Sequence, residues 1–258
     1  MSDPLLLFYS LLLGLVIGSF LNVCIYRIPI KKSIIWPPSA CPKCNAKIKW
    51  YDNIPVLSFL FLRGKCRKCG LKISKEYPLV ELTSGLLTLA LFWVYGLSWW
   101  TLCALTIVYC LIILSGIDLH LMIIPDRFSL GLTAFGLATA FINPAFSGTY
   151  LDKFLSSLLG GAVGFFGLWG IALLGQVMFK KESMGGGDIK LMAAVGTVCG
   201  LIGVVNCLVV SSFAGIVYFG FLVLLKKPVE DGTIPFGPFI STGLLFNLFF
   251  PNGVNLLM

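Results

Sequence analysis

The sequence predicts an all-α polytopic membrane protein, about eight transmembrane helices with one small cysteine-paired insert on the cytoplasmic side. Three observations carry that reading. Mean hydropathy is +0.96 and only 12% of the 258 residues are charged, against about 25% in soluble domains. Basic residues are concentrated: 12 of the 19 Lys and Arg fall between Arg27 and Lys75, where Asp52 is the one acid. Four of the nine cysteines lie in that same basic stretch, as two Cys-x2-Cys pairs.

The first apolar run, Leu5 to Ile25, is long enough to cross a bilayer. It is not a typical cleaved signal peptide: Asp3 precedes it, no basic residue does, and no small-residue cleavage site follows. Arg27, Lys31 and Lys32 come directly after it, so the N-terminus is expected outside and the insert inside. The expected organisation is a first helix in 1–27, an insert in 28–77 and a helical membrane domain in 78–258. Pro29, Pro37 and Pro38 argue against a helix at the start of the insert.

Leu79 to Leu97 and Trp99 to Ile117 read as the second and third spans, with Gly96-Leu97-Ser98 turning between them. Leu130 to Ile142 reads as a short fourth and Phe154 to Phe179 as a fifth. The block from Ile189 to Leu225 is too long for one span and is expected to break near Gly200 to Gly203. Ile234 to Phe250 is the last. On this count the polar stretches 118–127, 180–190 and 226–227 all fall inside, and Lys153 is the single basic residue outside. Basic loops flanked by spans fit that asymmetry better than nucleic-acid binding.

Cys41-Pro42-Lys43-Cys44 and Cys66-Arg67-Lys68-Cys69 belong to a local repeat, Cys-x-Lys-Cys-x-x-Lys-Ile, at 41–48 and again at 66–73. Four thiolates so paired suit a tetrahedral zinc ion in a closed, structural site. Disulfides are the rival, and a cytoplasmic compartment argues against them. An insert of this size has little core, so a zinc knuckle would hold it together. Cys24, Cys103, Cys110, Cys199 and Cys207 lie in apolar segments and read as small hydrophobes.

Asp118 closes the third span and Asp188 opens the sixth after Gly185, Gly186 and Gly187. A carboxylate at mid-membrane costs roughly 2.5–3.5 kcal/mol on insertion scales, so such acids are functional candidates. Asp188 alone could be a helix cap after a glycine turn, but a second acid in an equivalent place points to a pair. Two facing carboxyls can share one proton, so that one activates water while the other polarises a peptide carbonyl. That is metal-free aspartic proteolysis. The residues alone leave proton or cation translocation open as the rival. Asp126, after Pro125, reads as a helix cap with a structural role. His120 reads as a surface residue.

In order along the chain, Gly18-Ser19-Phe20-Leu21-Asn22-Val23-Cys24-Ile25-Tyr26-Arg27, both cysteine pairs, Asp52-Asn53-Ile54-Pro55, Arg63-Gly64-Lys65-Cys66, Tyr77-Pro78-Leu79-Val80-Glu81-Leu82, Asp118 with Ile124-Pro125-Asp126, Gly185-Gly186-Gly187-Asp188-Ile189-Lys190-Leu191 and Pro235-Phe236-Gly237-Pro238-Phe239 resemble the type IV prepilin peptidases, membrane aspartic proteases with a G-x-G-D motif. The resemblance implies a bacterial inner-membrane enzyme that cuts the short basic leader from prepilins and pseudopilins after a glycine, on the cytoplasmic face. It implies Asp118 and Asp188 as the catalytic pair, with Gly185, Gly186, Gly187, Lys190 and Asp126 supporting the catalytic loops. It also implies N-methylation of the new N-terminus from S-adenosylmethionine, because both cysteine pairs are present. Glu81 is a candidate for that step, either binding the amine or the methyl donor or pairing with a basic loop residue. The expected partners are pilin substrates and membrane lipid. Glu182, Glu230 and Asp231 are candidates for meeting the basic leader.

Overall fold

A computed structural model describes residues 3–180, 184–225 and 234–251. Glu182, Glu230 and Asp231 lie outside the described residues. Contacts divide the chain into two compact units, residues 1–101 and 102–258.

The first unit is built on α1 (Pro4–Arg27) and α3 (Glu76–Tyr95), which pack along their lengths. Asp3 starts α1 by accepting the Leu5 N–H at 2.9 Å, with Pro4 in the first turn where its missing N–H is harmless. The helices approach closely because small residues face each other: a Cβ on Gly18 would stand 2.7 Å from the Glu81 Cα. Such small-residue seams are how apolar helices pack without a hydrophobic drive between them. Asn22 of α1 donates to the Tyr77 carbonyl at 3.1 Å, pinning the start of α3. Between them runs the insert, mostly irregular, with one short helix, α2 (Leu57–Phe61).

The second unit begins within α4 (Trp99–Leu121) and continues through α5 (Asp126–Thr139), α6 (Tyr150–Phe179), α7 (Gly186–Leu224) and α8 (Gly237–Phe249). A capping box starts α6: the Thr149 hydroxyl accepts the Asp152 N–H while Asp152 accepts the Thr149 N–H at 2.9 Å. The central helix is α7, with α5, α6 and α8 packed on it. Its first half is apolar on every side, and Leu191, Met192, Ala194 and Val195 are fully buried.

The expected break in the long block is found. Gly200 has φ +69°, a conformation other residues adopt only at a cost, and it interrupts α7. A kink frees carbonyls in the preceding turn, and in an apolar setting each needs a partner. Ser157 of α6 donates to the Thr197 carbonyl at 2.6 Å, and the Asn143 amide donates to the Val198 carbonyl at 2.7 Å.

The membrane-helical architecture is found, and the count of eight spans is not confirmed by helix length. Among the described residues, five helices are long and apolar enough to cross a membrane: α1, α3, α4, α6 and α7, the last counted once across its break. With 14 and 13 residues, α5 and α8 reach only about 20 Å at 1.5 Å per residue, short of a hydrocarbon core of about 30 Å. The stretch expected as a loop from Asp118 is also partly helical, since α4 runs on to Leu121.

Candidate functional site

The second unit places Asp118 where α4 ends, beside the start of α8, and Asp188 where α7 begins. Asp118 lies in the last turn of α4 and is only 4% exposed. Its Oδ2 accepts the backbone N–H of Gly237, the first residue of α8, at 2.9 Å. Asp188 lies in the first turn of α7, where its own N–H donates to the Gly185 carbonyl at 3.1 Å. The two carboxyls are near enough to interact electrostatically. Ile124 is packed between the two helix starts. A Cβ on Gly187 would stand 2.8 Å from the Ile124 Cβ, and one on Gly237 would stand 2.8 Å from Asp118 Oδ2 and 3.2 Å from the Ile124 Cδ1. Any side chain at either glycine would push the helix starts away from the acids. Both helix N-termini carry partial positive charge, favourable beside carboxylates.

Asp126 takes a different place from the one expected. It is the first residue of α5 rather than its cap, with Pro125 in the cap position and no side-chain cap bond. Its carboxylate accepts a 2.7 Å hydrogen bond from Lys190 Nζ, so the third acid is paired with a cation two residues after Asp188 on α7. His120 is exposed on the end of α4. Sequence reasoning missed the Gly237 N–H as the partner of Asp118. The Pro235-Phe236-Gly237-Pro238 run was visible, but a glycine beside prolines reads first as punctuation.

In the first unit the two knuckles share one backbone design. Cys41 N–H donates to the Ala46 carbonyl at 3.0 Å and Asn45 N–H to the Cys41 carbonyl at 2.9 Å. The second knuckle repeats this 25 residues later, Cys66 to Leu71 at 2.8 Å and Gly70 to Cys66 at 2.9 Å. Asn45 and Gly70 both take positive φ, 53° and 70°, at the tip of each turn. The sulfurs of Cys41, Cys44, Cys66 and Cys69 all lie within 4.8 Å of one another, with Cys41 and Cys69 at 3.7 Å. A tetrahedral ion with sulfur at about 2.3 Å sets neighbouring sulfurs about 3.8 Å apart, so the group fits such a metal. Backbone N–H groups of Cys44 and Lys43 aimed at Cys41 lower its thiol from 9.0 to about 6, and those of Cys69 and Lys68 lower Cys66. These two shifts favour the thiolate that binds metal. Cys69 goes the other way, to about 11: the Leu71 N–H lowers it, but burial and the three neighbouring sulfurs raise it more. Arg67, inside the second pair, forks onto Asp52 at 2.6 and 3.0 Å, which holds that carboxyl below its usual range.

A cavity of about 710 Å³ lies in the first unit between α1, the insert and the start of α3. Glu81 lines it, only 7% exposed. The carboxylate accepts the Val56 N–H at 2.7 Å, and no basic side chain pairs with it among the described residues. Of the readings open from sequence, pairing with a basic loop residue is therefore not what the structure holds.

Residues 105–220 match the type IV leader peptidase family, and residues 12–95 match the bacterial peptidase A24 N-terminal domain. The chain is 38% identical over 253 residues to the prepilin leader peptidase/N-methyltransferase of Xanthomonas campestris pv. campestris, covering 89% of this chain and 86% of that one. It is 37% identical over 265 residues to the protein of the same name from Stutzerimonas stutzeri, covering 93% and 89%. To the type 4 prepilin-like proteins leader peptide-processing enzyme of Escherichia coli it is 38% identical over 248 residues, covering 89% and 88%. No solved structure matches. Paired acids at the starts and ends of apolar helices, four clustered cysteines, and likeness to these enzymes over nine-tenths of the chain lead to one assignment: the protein belongs to the type IV leader peptidase family.

Proposed function

We propose that the chain is a two-activity membrane enzyme. It cleaves the leader of type IV prepilins or pseudopilins after a glycine, and it then N-methylates the exposed residue with S-adenosylmethionine. The observation that carries the first half is the placement of Asp118 at the end of α4, on the Gly237 N–H, within electrostatic reach of Asp188 at the start of α7. Two carboxyls brought close in a poorly solvated site share a proton. The ionised one takes a proton from water as the oxygen attacks the peptide carbonyl, and the protonated one hydrogen-bonds the carbonyl oxygen as charge develops there. The proton then passes to the leaving amine. The Gly237 hydrogen bond fixes the Asp118 carboxyl in place throughout. No metal takes part in this scheme. Lys190 keeps Asp126 occupied, so the third acid does not compete.

The Cys41, Cys44, Cys66 and Cys69 set would hold one zinc ion as a structural centre, and S-adenosylmethionine would supply an electrophilic methyl group. Residues 28–77 would form the methyltransferase-associated insert between the first helix, 1–27, and the peptidase helices of 78–258. The basic loops support a cytoplasmic face of the inner membrane for the insert and the acids. That charge would serve membrane topology, not nucleic acid.

The test is incubation of the purified, lipid-reconstituted enzyme with a peptide spanning a prepilin leader and its first mature residues. Mass spectrometry should find the cut after glycine, and one added methylene unit on the mature fragment when S-adenosylmethionine is present. Cleavage by an Asp118→Asn or Asp188→Asn enzyme at the wild-type rate would reject the dyad.

A further inference from the structure

The 710 Å³ cavity of the first unit is unused by proteolysis, and it is built like a ligand site. Its volume lies within the roughly 300–1,000 Å³ of small-molecule pockets. The acid at its edge is held by an unusual device. Val56 has φ +61° and ψ −50°, and the Leu57 N–H donates back to the Pro55 carbonyl at 2.6 Å. This is a γ-turn of the strained kind, centred on a β-branched residue. The strain aims the Val56 N–H at Glu81 Oε2. Strained backbone of this sort persists where the surroundings over-determine it, commonly at binding sites. A carboxylate has about four acceptor positions; the Val56 N–H and the Ser19 hydroxyl occupy two and leave others open to a ligand. Glu81 stands in the second turn of α3, at the edge of an apolar helix.

The rest of the lining includes basic and aromatic side chains. Lys47 and Lys72 hold equivalent positions in the two knuckles, and both line the cavity without an ion pair among the described residues. Tyr26 and Tyr77 line it too, as do the first cysteines of both pairs. Unpaired lysines suit a carboxylate, aromatic rings suit a flat base, and the buried acid suits an amine. S-adenosylmethionine and a peptide N-terminus together present those groups.

We infer that this cavity is the methyl-transfer site and that Glu81 receives the new N-terminal amine of the cleaved pilin. The inference rests on the methyltransferase half of the proposed function. The ammonium gives one proton to Glu81. The freed nitrogen lone pair forms the N–C bond to the methyl carbon as the C–S bond pair returns to sulfur. The products are a methylated ammonium and a neutral thioether, and Glu81 releases its proton to water.

The test uses full-length enzyme in lipid nanodiscs. Glu81→Gln keeps the Val56 hydrogen bond but cannot take a proton. It should bind radiolabelled S-adenosylhomocysteine as wild type does, and methylate a pre-cleaved pilin peptide at least ~100-fold more slowly. That residual rate should climb with pH through about 8, where the α-amino group deprotonates unaided, which a purely structural residue would not cause. Val23→Trp, filling the cavity from α1, should weaken binding of S-adenosylhomocysteine at least about tenfold, with cleavage and metal content as folding controls. Photolabelling of the wild-type enzyme with an 8-azidoadenosyl donor analogue should mark peptides within 19–81. Label confined to residues 102–258, undiminished binding in Val23→Trp, or wild-type methylation by Glu81→Gln would each overturn the inference while leaving the two-activity reading intact. A wild-type enzyme that neither binds donor nor methylates overturns both.

Discussion

Asp118 and Asp126 are eight positions apart and differ in every physical respect that matters. Asp118 is buried against the Gly237 N–H, whereas Asp126 is open to solvent and paired with Lys190. Asp118→Asn and Asp188→Asn should each abolish prepilin cleavage without changing metal content or helicity, measured by peptide assay, metal analysis and circular dichroism. Asp126→Asn should leave most cleavage, because an exposed ion pair and a first-turn acid each contribute only about 0.3–1 kcal/mol. Gly237→Ala should act from the backbone. Its new methyl would stand 2.8 Å from Asp118 Oδ2, and overpacking of that kind costs about 1–3 kcal/mol. A fall in kcat with little change in KM is the expected reading. The two acids were legible in the sequence because a carboxylate in oil demands a reason. The Lys190 to Asp126 bond was not, since 64 positions separate its ends and nothing local marks either as the other's partner.

The kink in α7 shows what the sequence can and cannot announce about an element. A 39-residue apolar block has to break, and Gly200 was in the expected window. The side chains that make the break tolerable, Ser157 and Asn143, lie on other elements and read as ordinary polar residues. Asn143→Leu should therefore destabilise the second unit by about 1–3 kcal/mol, the cost of one buried carbonyl left unpaired, seen as a lowered midpoint in thermal unfolding. Gly200→Ala should be worse, adding a forbidden φ to a contact 2.9 Å from the Phe146 ring. The lengths of α5 and α8 were harder to read from hydropathy, because both are apolar without being long, a distinction that rests on where helices stop.

Across the molecule, the two units, residues 1–101 and 102–258, correspond closely to the two family matches, and the two proposed chemistries would divide the same way. Glu81 and the cysteines lie in the first unit, Asp118 and Asp188 in the second. Stripping metal with a chelator, or replacing Cys44 with Ser, should loosen the cavity wall that Cys41 and Cys66 help form. Methyl transfer should fall in parallel with bound zinc, and leader cleavage should fall much less, with both rates read on the same preparation.

The knuckle repeat carries a further consequence for how the metal is taken up. Each hairpin supplies two sulfurs and a closed backbone turn, and neither supplies a whole coordination sphere. An ion captured by one hairpin would gain its full affinity only when the other swings in, so loading and ordering of the insert would be a single event. Titrating metal into stripped protein should then give one sharp break at one equivalent. At half an equivalent the sample should be a mixture of fully ordered and fully disordered inserts, visible as two sets of amide resonances rather than one averaged set.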